Sequence, residues 1–149
     1  MYKIMFVCHG NICRSPMAEF VLKDLVKKAG REEEFFISSS AVSEEEIWGG
    51  VGNPVYPPVK KLLATRGIFC EEKRATLLTA EDGERYDEFL CMDESNLRRA
   101  RAILGEKNGK KCRLLLNGRA VADPWYTRDF EATYRDVLGA CAELLKKGN

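Results

Sequence analysis

Residues 8 to 15 read Cys8-His9-Gly10-Asn11-Ile12-Cys13-Arg14-Ser15, a thiol and a guanidinium with five residues between them. A thiolate is a strong nucleophile, and the planar fork of an arginine matches two oxygens of a phosphoryl group in a way lysine cannot. The spacing alone is weak, because arginine is common in this chain. Of the six cysteines, however, only Cys8 has an arginine six positions on.

Context sharpens it. Ile4-Met5-Phe6-Val7 is apolar and β-prone and stops at Gly10 and Asn11, as a strand buried on both faces does in a parallel sheet. Ser15 followed by Pro16 predicts a helix start, with Ser15 as N-cap and proline at the first helical position. Met17, Val21 and Leu25, continued by Leu22, Val26 and Ala29, form one face of that helix, which Gly30 ends. A strand, a tight loop and a helix N-terminus together make an anion site, since loop N–H groups turn inward and the helix end adds partial positive charge. Gly10 allows close approach of the main chain, and His9 shapes the loop rather than acting as a base. Such a field favours negative charge on sulfur, so the loop favours Cys8 as a thiolate.

Further along, Phe35-Phe36-Ile37 leading into Ser38 to Ala41 reads as a second strand and Phe89 to Met92 as a third, while Leu114-Leu115-Leu116 makes a short fourth. Pro57-Pro58 opens a helix that Gly67 stops. Asp93 or Ser95 caps a helix carrying Leu97, Ala100 and Leu104, and Phe130, Tyr134, Val137, Cys141 and Leu144 mark a long helix ending near Lys147. Strands alternating with helices predict an α/β fold: one domain over residues 1–149, a doubly wound four-stranded parallel sheet flanked by helices, with the phosphate-binding loop near its N-terminus. Ligands then bind at the carboxyl ends of the strands, where the Cys8 loop lies.

Asp123 precedes Pro124, which pushes it toward extended backbone and out of a helix. Read by itself, that pair is a turn. A carboxylic acid aimed at the bridging oxygen of a phosphate ester would contribute about 10²–10⁴-fold as a general acid.

Composition excludes several classes. Twenty-four basic against twenty-three acidic side chains leave a net charge of +1, so no global field favours nucleic acid or an anionic membrane. The basic stretches Arg98 to Arg101 and Lys107 to Arg113, and the acidic runs Glu32 to Glu34 and Glu44 to Glu46, read as solvated surface. The chain opens almost directly on its first strand, without the apolar region of a signal peptide, and has no apolar run of membrane-spanning length, which points to a cytoplasmic protein with reduced thiols. One histidine and the lack of a Cys-x-x-Cys pair argue against a metal site. Neither metal nor other cofactor is expected. Cys13, one loop away from Cys8, is placed to resolve an oxidised Cys8 as a disulfide.

The segments Cys8 to Pro16, Leu90-Cys91-Met92-Asp93-Glu94-Ser95-Asn96-Leu97 and Asp123-Pro124-Trp125-Tyr126, in that order, resemble the low-molecular-weight protein tyrosine phosphatases over nearly the whole chain. The resemblance implies a phosphotyrosine protein phosphatase that hydrolyses aryl phosphates through a phosphocysteine intermediate. It makes Cys8 the nucleophile, Arg14 the phosphate ligand and Asp123 the general acid. Ser15 then donates to the departing thiolate and Asn11 braces the loop, in which His9, Gly10, Ile12 and Cys13 complete the phosphate-binding segment. Trp125 and Tyr126 line the mouth, with Trp48 as the opposite wall. The implied partner is a phosphotyrosine-containing protein, with no nucleic acid or membrane, and the implied state is a monomer or weak homodimer. Three other readings share parts of this pattern: an arsenate reductase, which needs two further thiols as a relay; a phosphoarginine phosphatase, whose relatives tend to carry threonine where this chain has Ile12; and a phosphocarrier that keeps its phosphocysteine and has little use for Asp123.

Overall fold

A computed structural model describes residues 1–147. Strand β1 (Tyr2–Cys8) is central, and its apolar run alternates between two cores: Ile4, Phe6 and Cys8 face one, Met5 and Val7 the other. The sheet order is β2 (Phe35–Ala41), β1, β5 (Glu88–Cys91), β6 (Cys112–Leu114), all parallel. One face is covered by α1 (Arg14–Lys28), α2 (Pro57–Thr65) and α6 (Phe130–Lys147), and the other by α4 (Glu94–Gly109) through Leu97, Ala100 and Leu104. The doubly wound parallel sheet is therefore as expected.

The chain leaves β1 through α1 toward β2 and leaves β5 through α4 toward β6, on the opposite side. The carboxyl ends of β1 and β5 therefore flank the switch point, where open α/β sheets bind ligands. The Cys8 loop and Asp93 sit there.

Several boundaries differ from expectation. α1 starts at Arg14, with Cys13 at the N-cap and no side-chain cap, so Ser15 is not the cap; its hydroxyl is turned toward Cys8 instead. The helix N-terminus is thereby left open to the loop. β6 covers Cys112 to Leu114 rather than Leu114 to Leu116, because Phe89 N–H bonds Lys111 O and pins the ladder further upstream. Ala29 is exposed as the C-cap of α1, ahead of Gly30 at φ 68°. Short elements unforeseen in the sequence also appear: the hairpin β3 (Ile47–Trp48) and β4 (Val51–Gly52), α3 (Asp82–Arg85) and α5 (Pro124–Thr127).

Candidate active site

Cys8 ends β1 and is buried, and the next five residues form a cradle that closes on the open end of α1. Its Sγ lies 2.9 Å from Ser15 Oγ and 3.3 Å from the Asn11 backbone N–H, which donates to it. Asn11 holds a left-handed backbone, φ 59°, which asparagine tolerates better than most residues. Its side-chain amide is oriented by Thr76 N–H, which donates to Asn11 Oδ1 at 3.0 Å. Asn11 Nδ2 therefore donates to Ser15 Oγ (2.8 Å) and to Ser39 Oγ (2.9 Å). Each hydroxyl, having accepted from Asn11, sends its proton onward. Ser39 donates to Glu19 Oε1 at 2.6 Å, and Ser15 is left to donate to Cys8 Sγ. Two donors thus converge on one sulfur, a pattern that stabilises negative charge there.

Arg14 is 4 % exposed, and its guanidinium is held from three sides. Nη1 donates to Val121 O and Nη2 to Asp93 Oδ2, each at 3.0 Å, while Asp123 Oδ2 stands 3.4 Å from Nη2. The other oxygen of Asp93 caps α4 by accepting from Asn96 N–H at 2.8 Å, so the helix start and the arginine share one carboxylate. Asp123 has extended backbone (φ −91°, ψ 109°) and caps α5 by accepting from Trp125 N–H at 3.0 Å. The segment before it is laid against the sheet by Val121 N–H to Met92 O and against α6 by Thr133 Oγ1 to Ala122 O. The Asp-Pro turn expected from sequence therefore exists, and it delivers a carboxylate to the arginine.

These groups open into a cavity of about 420 Å³, lined by Cys8, His9, Gly10, Ile12, Cys13 and Arg14 together with Asp93, Asp123, Trp125 and Tyr126. Asn11 and Ser15 lie beneath it, fully buried. Trp125 is braced by Tyr56 with ring centroids 5.4 Å apart, and Tyr56 N–H in turn bonds Ile12 O. Trp48 is not part of this lining: it lies 72 % exposed on the β3–β4 hairpin, and the wall expected from it is formed by Glu45 and Glu46. The acidic run read as plain solvated surface thus borders the site. His9 Nε2 is 2.8 Å from Glu45 Oε2, away from the nucleophile. Cys13 shares the lining, and its thiol is pushed up to about 12, first by burial and then by the negative charges of Cys8 and Asp123, against the pull of Arg14.

The low molecular weight phosphotyrosine protein phosphatase family model matches residues 3–148. The chain belongs to that family. Among curated relatives, the low molecular weight protein-tyrosine-phosphatase YfkJ of Bacillus subtilis is 33% identical over 97% of this chain and 94% of its own length. The low molecular weight phosphotyrosine protein phosphatase of Sus scrofa is 37% identical with the same coverage. Crystal structures of YfkJ and of the Streptococcus pyogenes enzyme superpose with TM-scores of 0.90 and 0.88, at 31% and 36% identity, over 99% of this chain and 94% and 93% of theirs.

For this family member, residue types and spacing pointed to Cys8 and Arg14, and the resemblance to Asp123, which read by itself was a turn; none of this pointed to the groups that hold these side chains. Asp93 was legible only as a helix cap. Ser39, Glu19 and Thr76 carry no local signal at all, and Lys73 joins them by donating to Ser39 O at 3.1 Å; burial, more than it is offset by Glu19, lowers the lysine's affinity for its proton.

Proposed function

We propose that this protein hydrolyses phosphotyrosine in other proteins, with Cys8 as the group that takes up the phosphoryl. The supporting observation is the convergence on Cys8 Sγ of the Ser15 hydroxyl and the Asn11 N–H, in a cavity that also contains Arg14 and Asp123.

Arg14 and the loop amides bind the phosphoryl oxygens, and Asp93 fixes the guanidinium for that purpose. The Cys8 thiolate attacks phosphorus in line: the S–P bond forms, the bond from phosphorus to the phenolic oxygen breaks, and Asp123 gives its proton to that oxygen. The aromatic ring of the substrate lies against Trp125, with apolar Ile12 at the base. In the second half, water attacks phosphorus, its proton passes to the Asp123 carboxylate, and the S–P bond breaks. Ser15 donates to the returning thiolate, and inorganic phosphate leaves. Charge stabilisation by fixed N–H donors and a guanidinium carries most of the rate in such reactions.

A disulfide relay of the arsenate-reductase kind finds no support in the placement of the thiols. Cys91 and Cys112 are buried in the core on the opposite face of the sheet from Cys8, where the hydrogen bond with Cys112 and then burial keep Cys91 protonated. A cytoplasmic location and a monomeric or weakly dimeric state belong to the same proposal. Among the described residues, no helix is long and apolar enough to cross a membrane.

The test compares wild type, Cys8→Ser and Asp123→Ala on an aryl phosphate, a phosphotyrosine peptide, phosphoarginine and arsenate. Cys8→Ser loses aryl phosphate and phosphotyrosine hydrolysis entirely, and Asp123→Ala loses about 10²–10⁴-fold, most for the poorest leaving groups. Phosphoarginine or arsenate turnover exceeding that of the phosphotyrosine peptide would overturn the reading.

A further inference from the structure

The run Glu44-Glu45-Glu46 is solvated in part, yet two of its members border the cavity. Glu46 is fixed there: Asn53 Nδ2 donates to its Oε1 at 2.9 Å and Asn53 N–H to its backbone O at 2.8 Å. The hairpin behind it is tied down by Ala75 N–H to Asn53 O and by Gly52, where a Cβ would stand 1.9 Å from Ala75 O. Glu45 is set by Ser43, whose Oγ accepts from Glu45 N–H at 3.2 Å, and by His9. The Glu46 carboxylate is therefore tied to the hairpin, while Glu45 is held through its backbone and reaches His9 with its carboxylate.

Their charge is poorly matched. Glu46 meets a neutral amide, and Glu45 meets a half-exposed histidine while itself 67% exposed. Arg14 and His9 are the basic residues in the lining, and Arg14 is engaged by Asp93 and Asp123. Arg74 bonds Gly52 O on the hairpin and does not line the cavity. Asn96, 2 % exposed and part of the same lining, adds an Oδ1 with no hydrogen-bond partner among the described residues. Among the described residues, Glu45 and Glu46 thus stand on the lip with no lysine or arginine paired to them. Also in the lining are Trp125 and Tyr126, 56 % and 81 % exposed, whose ring faces attract cations.

We infer that the Glu45–Glu46 lip selects phosphotyrosine segments that carry lysine or arginine beside the phosphorylated residue. The inference rests on the phosphotyrosine reading above and narrows it. The deep cradle takes the phosphate, and the lip acts on the flanking residues, which lie within the ~10 Å over which charges act at 0.1 M salt. A basic neighbour pairs with a carboxylate or stacks on an exposed ring; an acidic neighbour is repelled.

The test measures kcat/KM for two phosphotyrosine peptides of equal length, one flanked by lysines and one by glutamates, with wild type, the double variant Glu45→Gln/Glu46→Gln, and Glu45→Lys. Exposed charge pairs are worth roughly two- to fivefold each, so two of them give wild type a preference for the basic peptide of about tenfold at low salt. The preference shrinks toward unity at high salt and in the double variant, and Glu45→Lys, which sets a positive charge beside the negative one of Glu46, likewise abolishes it. Equal rates on both peptides in wild type would overturn the inference, as would a preference that survives in a double variant with an unaltered near-ultraviolet circular dichroism spectrum. If the double variant unfolds, Glu45→Lys at its exposed position decides alone, and a preference there as large as in wild type refutes the idea. Hydrolysis of an aryl phosphate with no activity on either peptide would instead bring down the phosphotyrosine reading, and this inference with it.

Discussion

Replacing Asp93 separates two jobs performed by one carboxylate. Oδ1 accepts from Asn96 N–H at 2.8 Å to cap α4, and Oδ2 accepts from Arg14 Nη2 at 3.0 Å. Asparagine has a single acceptor oxygen. In Asp93→Asn that oxygen stays with the backbone N–H, whose position is fixed by the helix, and the new NH₂ faces the guanidinium, donor against donor. Arg14 then leans toward Asp123, already 3.4 Å away, and leaves the geometry in which its fork meets a phosphoryl group. A hydrogen bond to a charged group contributes about 1.5–3 kcal/mol, so kcat/KM on an aryl phosphate falls roughly 10- to 100-fold. Asp93→Ala loses the same interaction and the cap as well. The cap is worth about 1 kcal/mol, which at this chain length lowers Tm by roughly 2–4 °C relative to Asp93→Asn. Steady-state kinetics beside calorimetric melting reads both quantities. An Asp93→Asn enzyme with wild-type kcat/KM, or alanine and asparagine variants that melt together, would refute the shared-carboxylate account.

Ser15→Ala removes the hydroxyl donor to Cys8 while keeping the Asn11 N–H, and kcat falls by about 10-fold or more, with a slower release of phosphate from the phosphoenzyme in rapid-quench experiments. Treatment with peroxide inactivates wild type in a way dithiothreitol reverses, through a disulfide between Cys8 and Cys13; Cys13→Ser is inactivated without recovery, and equal recovery in both would exclude the switch. Because the folded state raises Cys13 to about 12 from 9.0, it keeps a proton that the unfolded chain releases in that interval. The associated stability is complete below pH 9 and is lost as pH rises toward 12, so Tm declines across this range and declines less steeply in Cys13→Ser. Gly52→Ala drives a methyl into Ala75 O, costs about 1–3 kcal/mol by overpacking, and loosens the Glu46 lip; a melting curve identical to wild type would show that the hairpin is not anchored there.

The elements legible beforehand are those whose signal is local. β1, the loop and α1 follow one another without interruption, and the apolar face of α6 repeats over four turns. The β3–β4 hairpin went unforeseen, because Gly49-Gly50 marks a tight turn only once the residues beside it pair; both adopt positive φ (57° and 80°), as a two-residue turn of the mirror-image type demands. The Ser15 cap failed because a serine before proline is a sound capping signal until a thiol and an amide compete for its hydroxyl. β6 was displaced because three leucines mark burial, while the ladder with β5 decides which residues pair.

By itself the sequence determined the chemistry and its local frame: a thiol and a guanidinium on one strand–loop–helix unit, and a carboxylate kept extended by the proline that follows it. Backbone preferences and short-range hydrogen bonds suffice for that. Only the tertiary structure decided which distant groups meet the unit. Asp93 and Val121 lie 79 and 107 positions from Arg14, and Thr76 lies 65 from Asn11. Parallel crossovers bring those positions to one end of the sheet, because strands that bury both faces must return over a helix before pairing, and no spacing along the chain records where the loops after β1 and β5 will face each other.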